Sequence, residues 1–406
     1  MTSKNPATPL SSRAVTPARA TVVAAAVLFT DMLLHGLAIP VLPLLPAVAD
    51  QGPAATGILF SSYAVAMIIA TLFAGRIVDR HGPKAPLMIG LVGLIVATLL
   101  FAVGAPYWLL LAARFAQGIA AGMSWVAALS LIAAATGFDK RGQMMGIALS
   151  TIVLGVLLGP PLAGFLVDAF NAATPFIVAG VIAAIDLVLL GVLVKGSPRQ
   201  TDDTAGPLTV LRVPGSASIV IAIGIGAAVL AAVQPVLPGH LGDQASSTMI
   251  GVLFGIAALV SIIANPIVGR FVATTAPRLL IGLGVLAVAG ALVVTGFSSQ
   301  LWQTGIGMGL LGLSSALLLA PATTLISEQG FRSSPPTLGG SFALYNLAYA
   351  AGLAGGPLLT GFGVEQAGFT TAMVITAVVL AALGGAGLVR LPRKQQAQAG
   401  DHATGP

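Results

Sequence analysis

Gly75-Arg76-Ile77-Val78-Asp79-Arg80-His81-Gly82-Pro83-Lys84 returns 194 residues later as Gly269-Arg270-Phe271-Val272-Ala273-Thr274-Thr275-Ala276-Pro277-Arg278. Both stretches open on Gly-Arg and two apolar residues, and both close on Pro and a cation. Two further pairs share nearly the same spacing: Pro40-Val41-Leu42-Pro43 with Pro235-Val236-Leu237-Pro238, offset 195, and Gly159-Pro160 with Gly356-Pro357, offset 197. Offsets near half of the 406-residue length identify the chain as two copies of one half.

What surrounds these loops is apolar. Charged residues make up 7% of the chain, 18 Lys/Arg and 12 Asp/Glu, where a soluble globular chain of this length would carry roughly a quarter. Mean hydropathy is +1.00. So few charges exclude a soluble enzyme, and so little polarity excludes disorder. A helix crossing roughly 30 Å of hydrocarbon needs about 20 apolar residues. Twelve such spans are expected, at 20–46, 54–75, 85–104, 107–134, 143–167, 173–194, 215–238, 246–269, 279–297, 300–327, 337–362 and 368–389. The uncharged run Leu279–Ser327 must hold two of them, broken at Ser298-Ser299-Gln300. The ten-residue alternation of a membrane β-barrel is absent, and the first apolar segment is too long for a cleaved signal.

Six helices apart preserves chain direction, so the halves are parallel repeats. The expected fold is all-α and integral to the membrane: a bundle at 1–195, a polar connector at 196–214, a second bundle at 215–390 and a tail at 391–406. Seventeen of the 18 Lys/Arg fall on one side, the side of both termini. Cationic loops favour the cytoplasm, so both termini are expected there, in a multi-pass protein of the inner cell membrane. The opposite loops carry only Asp50, Asp168, Asp243 and Glu365. Two parallel bundles related by an axis along the membrane normal form a site at their interface and rock about it. A small-molecule cargo and the lipid bilayer are the expected partners, and the chain is expected to be a monomer.

Only Asp31, Arg114 and Asp186 place charge deep in apolar spans, roughly 16, 10 and 20 Å in at 1.5 Å per residue. Such groups face a water-filled path or a partner. Two carboxylates and one guanidinium leave one carboxylate without a fixed partner. Desolvation makes its neutral form accessible, so it can hold a proton or a cation but not both. Asp31 is the first candidate for this coupling and Asp186 the second; an Asp31–Arg114 salt bridge is the structural alternative. His35, one turn beyond Asp31, is a candidate proton relay or a polar packing residue. The repeat equivalents of Asp31 and His35 are Gly226 and Leu230, so coupling belongs to the first half. Arg114, Gln117, Gly118 and Ala121 share one helix face. Gln234, Asn265, Tyr345 and Asn346 are polar groups in apolar spans of the second half, candidate pocket liners or helix-to-helix hydrogen bonds. Gly155 and Gly159 permit close helix approach, and Pro160 with Pro161 should bend helix 5. Gly75 and Gly82 allow tight turns, while Arg80 and Lys84 meet head groups or helix ends.

The loop Gly75–Lys84, the run Arg114-Phe115-Ala116-Gln117-Gly118, and Gly146 with Gly155-Val156-Leu157-Leu158-Gly159-Pro160-Pro161-Leu162-Ala163-Gly164 resemble motifs of the major facilitator superfamily. The last is similar to the helix 5 motif of its proton-driven antiporters. Asp31 with Pro40 and Pro43, and Arg141-Gly142-Gln143-Met144-Met145-Gly146-Ile147-Ala148-Leu149, resemble the drug/proton antiporter branch that includes vesicular amine transporters. The resemblance implies that the helix 1 carboxylate, Asp31, binds proton and cationic substrate. It also implies a gate latch at Asp79 and a hinge or seal at Gly155, Gly159 and Pro160. Where those relatives carry a helix 2 Lys this chain has Tyr63, and where they carry carboxylates in helices 10 and 11 it has Ala316 and Asn346.

The resulting expectation is a proton-coupled exporter of small hydrophobic or cationic compounds, with Tyr63, Arg114 and Gln117 beside Asp31 in its site. A transporter of one metabolite, such as a sugar or siderophore, is the alternative. A membrane enzyme or receptor is disfavoured. No metal-ligand cluster, nucleotide loop or nucleophile–base spacing is present, no Cys occurs, and no soluble domain is long enough. No cofactor, metal or nucleic acid is expected.

Overall fold

The computed structural model describes residues 15–136, 138–194, 206–272 and 274–389. Most of the connector (196–205) and the tail (391–406) lie outside the described residues. Ten helices carry single spans: α1 (Pro17–Val41), α2 (Gly52–His81), α3 (Lys84–Ala102), α4 (Tyr107–Ala135), α5 (Phe138–Ala169), α6 (Thr174–Leu193), α7 (Ser216–Val233), α8 (Ser247–Val272), α9 (Pro277–Gly296) and α10 (Leu301–Arg332). The stretch Leu338–Val389 is helical throughout except at Gly368, where φ is 77°. Its parts before and after that residue are α11 and α12. Among the described residues eleven helices are long and apolar enough to cross a membrane, the last of them divided at Gly368, as in a multi-pass membrane protein.

Local chemistry explains the ends. Thr16 accepts from the Arg19 N–H, and Pro17 occupies the first turn, where no backbone donor is needed. Gln300 and Gln303 form a reciprocal cap at the start of α10, so the long uncharged run divides at the expected polar break. Several boundaries differ from expectation: α1 ends at Val41 rather than 46, α2 runs to His81 rather than 75 and α10 to Arg332 rather than 327. α5 begins at Phe138 rather than 143. No loop separates α11 from α12, because Gly363-Val-Glu-Gln-Ala367 continues the helix until Gly368 takes the left-handed conformation.

Within the first half, α1 packs on α5 and α2 on α4; the second half repeats this as α7 on α11 and α8 on α10. The α1–α5 contact is backbone against backbone. A Cβ added to Gly159 would lie 2.7 Å from the Gly36 Cα, and one on Gly155 2.6 Å from the Phe29 carbonyl. Lipid provides no hydrophobic drive between helices, so this closeness is what holds them. The halves meet along α2–α11 and α5–α8, again a repeat-related pair. α5 thus runs between α1 and α8, with Pro160 and Pro161 against Gly251 and Gly255. Large apolar side chains such as Ile89, Val188, Leu286 and Val378 cover the outside.

Gly159→Ala is expected to push α1 from α5 and destabilise the protein by about 1–3 kcal/mol. Gly75→Ala, whose added Cβ would meet nothing within 4 Å, is expected to stay within about 0.5 kcal/mol. Thermal unfolding of both variants in detergent measures the difference.

Candidate functional site

Asp31 stands near the middle of α1 and is 1% exposed. Its Oδ2 accepts from the Trp125 indole N–H on α4 at 2.8 Å. Its Oδ1 takes no hydrogen bond from any described residue. Arg114, on the same α4 three turns earlier, is equally buried. Its Nη1 donates to Gln117 Oε1 at 3.1 Å, and Nη2 meets His35 Nδ1 at 3.5 Å. The guanidinium carbon lies 4.7 Å from the Tyr63 ring centre and 5.4 Å from that of Phe60. Gln117 in turn donates to Thr98 Oγ1 at 2.9 Å. An amide, an imidazole lone pair and two aromatic faces therefore solvate the buried cation, leaving only Nε unpartnered.

Asp31 and Arg114 feel each other's charge, yet no ion pair joins them among the described residues. The salt-bridged alternative is not what the geometry adopts. Asp186, on α6, is likewise unpaired: Thr30 faces it from α1, but Thr30 Oγ1 and Asp186 Oδ2 are both buried without a hydrogen bond. α1 thus presents Thr30 to one carboxylate while its own Asp31 turns to α4. His35 contacts Arg114 and stacks obliquely on Tyr63, ring centres 5.1 Å apart. The close seating of α4 on α2 comes from Gly118, where an added Cβ would collide with the Tyr63 carbonyl.

From the second half, Tyr349 comes within electrostatic reach of the buried Tyr63 hydroxyl, which has no hydrogen-bond partner. Tyr345 lies nearly parallel to Tyr349, ring centres 6.1 Å apart; Asn346 is half-buried on the same helix. Asn265 is satisfied within its own helix by Ser261. Gln234 is buried at the end of α7. Neither contacts the Asp31 cluster among the described residues. At the repeat position of Asp31, Gly226 admits α10 so closely that Ser315 donates to its carbonyl at 2.9 Å.

Trp125, Phe60, Thr98 and Tyr349 are site residues that the sequence reading did not reach. For Trp125 a signal existed: the face carrying Arg114, Gly118 and Ala121 continues one turn further to residue 125.

Of the expected gate residues, Gly82 takes the left-handed conformation (φ 74°) and Arg80 is exposed. The side chains of Asp79, Arg141 and Gln143, and the packing around Gly146, lie outside what the structure describes. Hydrogen bonds that cross between the halves gather near the face opposite the termini. Asp168, at the end of α5, accepts from the Ser247 and Thr248 N–H groups that start α8, at 3.2 and 2.8 Å. Glu365 on α11 accepts from the Ala54 N–H at the start of α2, at 3.0 Å. Ser61 donates to the Ala354 carbonyl at 2.7 Å. Asp168 and Glu365 are 197 residues apart, the repeat offset of the Gly-Pro pair, so each half caps a helix of the other.

Two repeated sets of helices, with buried charge on the first and tyrosines of the second near it, frame this site. The chain belongs to the Major Facilitator Superfamily, whose model matches residues 24–216 and 216–405. It is 27% identical over 340 residues to the human (Homo sapiens) synaptic vesicular amine transporter, covering 80% of this chain and 64% of that one. It is 28% identical over 333 residues to the Drosophila melanogaster vesicular acetylcholine transporter, covering 78% and 57%. The chain therefore spans less than two thirds of these relatives' length. In fold it is similar to a bacterial homolog of the human lysosomal transporter Spinster, solved inward-facing and unoccupied (TM-score 0.76, 14% identity, 94% and 98% covered). It is likewise similar to the nucleoside transporter NupG (TM-score 0.73, 14% identity, 92% and 100% covered).

Removing the crossed caps with Asp168→Asn and Glu365→Gln together is expected to widen the spacing between the α2 and α11 ends. Loss of two exposed caps should shift the open population at that face about two- to fivefold. Spin-label distances between the exposed positions Gln51 and Gln366, beside the caps and not part of them, measure it.

Proposed function

We propose that the chain is a proton-coupled antiporter that exports small hydrophobic or cationic compounds by alternating access, with Asp31 as the group that exchanges proton for cargo. The observation that carries this reading is the buried Asp31 carboxylate, held by an indole N–H, unpaired with any cation and near a guanidinium already solvated by neutral groups. With Asp31 charged, it and Arg114 sum to zero. A proton or a cationic cargo brings the pair to +1; both together would put a second positive charge against a buried guanidinium, where low dielectric makes repulsion costly. One site thus admits either partner and excludes both, which is sufficient for exchange.

The inter-half hydrogen bonds near the face opposite the termini support a state closed there, and the Lys/Arg distribution supports assigning the termini to the cytoplasm of an inner membrane. Asp186 is a second proton-accepting group on this reading, and His35 tunes the site through Arg114. Tyr63, Gln117, Tyr345 and Asn346 contribute uncharged polar and aromatic surface for cargo, while Gly155, Gly159 and Pro160 form the seam about which the halves rock. The similarity to amine transporters supports a cationic cargo. The chain works as a monomer, with protons and cargo as its partners and no catalytic step.

Purified protein in vesicles with an imposed pH gradient tests this. Ethidium is expected to move uphill against protons; Asp31→Asn should abolish the exchange while inserting normally, and Asp31→Glu should retain part of it. Unchanged pH-driven exchange in Asp31→Asn, or no cation moving against the proton gradient, sinks the reading. Competition by sugars alone would identify the metabolite carrier.

A further inference from the structure

We infer that Trp125 is a positioning residue for the exchange site: by binding Oδ2 of Asp31 it reserves Oδ1 as the single oxygen on which proton and cargo compete. The inference rests on the function proposed above and adds an atom-level device to it.

A carboxylate has two equivalent oxygens, and a free one offers protons and cations several binding geometries. Here the equivalence is broken. Trp125 Nε1 approaches Oδ2 at 2.8 Å, within the range of a strong charge-assisted bond. An indole has one donor and no acceptor, so it can hold the carboxylate yet cannot take its proton. A Lys or Arg in this place would neutralise Asp31 and remove its reason to bind a cation; a Ser would compete for the proton. Trp125 does neither. The rigid ring also fixes the rotation of the carboxyl plane, because α1 and α4 are packed together and Trp125 is itself partly buried among apolar neighbours.

Among the described residues, Trp125 is the one hydrogen-bond donor to Asp31. Arg114, on α4, acts on Asp31 only at a distance and spends its donors on Gln117 and His35. Tyr63, on α2, lies within electrostatic reach with its hydroxyl unpartnered. Asp186, on α6, faces Thr30 rather than Asp31. His35, on α1 itself, turns to Arg114. α5, on the other side of α1, brings glycines and no titratable side chain to this level among the described residues. Among the described residues no second donor reaches the Asp31 carboxylate, which leaves Oδ1 for proton or cargo, with Tyr63 within electrostatic reach.

The chain holds three tryptophans, and Trp108 and Trp302 are 75% and 62% exposed. The double variant Trp108→Phe/Trp302→Phe therefore leaves Trp125 as the only indole. Its emission is expected to titrate with pH, and the titration to vanish when Asp31→Asn is added. In ethidium–proton exchange, Trp125→Phe removes a hydrogen bond to the charged form, so the pH profile should move toward alkaline by about one unit. Emission that ignores pH, or that titrates identically in Asp31→Asn, overturns the positioning role even if Trp125→Phe fails to fold. An unmoved profile in Trp125→Phe overturns it too. Persistence of pH-driven exchange in Asp31→Asn overturns instead the function on which it rests, so the two failures read out separately.

Discussion

A guanidinium and a carboxylate, both buried in the first bundle and both on helices with hydrocarbon around them, do not join. Every other feature of the centre follows from that separation. A contact ion pair would make Arg114 and Asp31 a structural strut, costly to break because either partner alone would be stranded. Apart, the cation is satisfied by Gln117, His35, Phe60 and Tyr63, and the anion has an indole as its one donor among the described residues. Neutral groups thus carry the solvation that an ion pair would otherwise supply.

The repeat makes the asymmetry plain. The two halves share helix pairing, the loop after their second helix and the crossed caps Asp168 and Glu365. At the centre they diverge. Where the first half has Asp31 facing Trp125, the second has Gly226 sealed against Ser315 and Leu319. Where the first half has Arg114 among aromatics, the second contributes Tyr345 and Tyr349. The scaffolding is duplicated, while the buried Asp31, Arg114 and Asp186 all belong to the first half. The same backbone plan has been filled once with a polar core and once with close apolar packing.

Helix approach uses one device both within the halves and between them. Gly36 meets Gly159 between α1 and α5, Gly57 meets Gly361 between α2 and α11, and Pro160 meets Gly251 between α5 and α8. Missing side chains let backbones touch, and dispersion between touching surfaces replaces the hydrophobic effect that lipid cannot provide. α5 belongs to two such seams at once, one fixed within its half and one across the interface, which explains why its Gly-Pro segment is so dense in small residues.

Composition and periodicity determined the membrane, the twelve spans, the duplication and which three charges are anomalous. Those are one-dimensional properties: apolar run length sets what crosses a bilayer, and a repeat is visible as an offset. That Asp31 shares a face with His35, and Arg114 one with Gln117, was also legible, because i, i+3 and i+4 spacings put residues on one side of a helix. Only the tertiary structure decided partners. Whether Asp31 reaches Arg114 or Trp125, whether Glu365 lies in a loop or caps a helix 311 residues away, and that Asn265 bonds within its own helix depend on helix rotation and crossing distance. Those are set by where glycines let one backbone sink against another, a contact between distant segments that no spacing along the chain encodes.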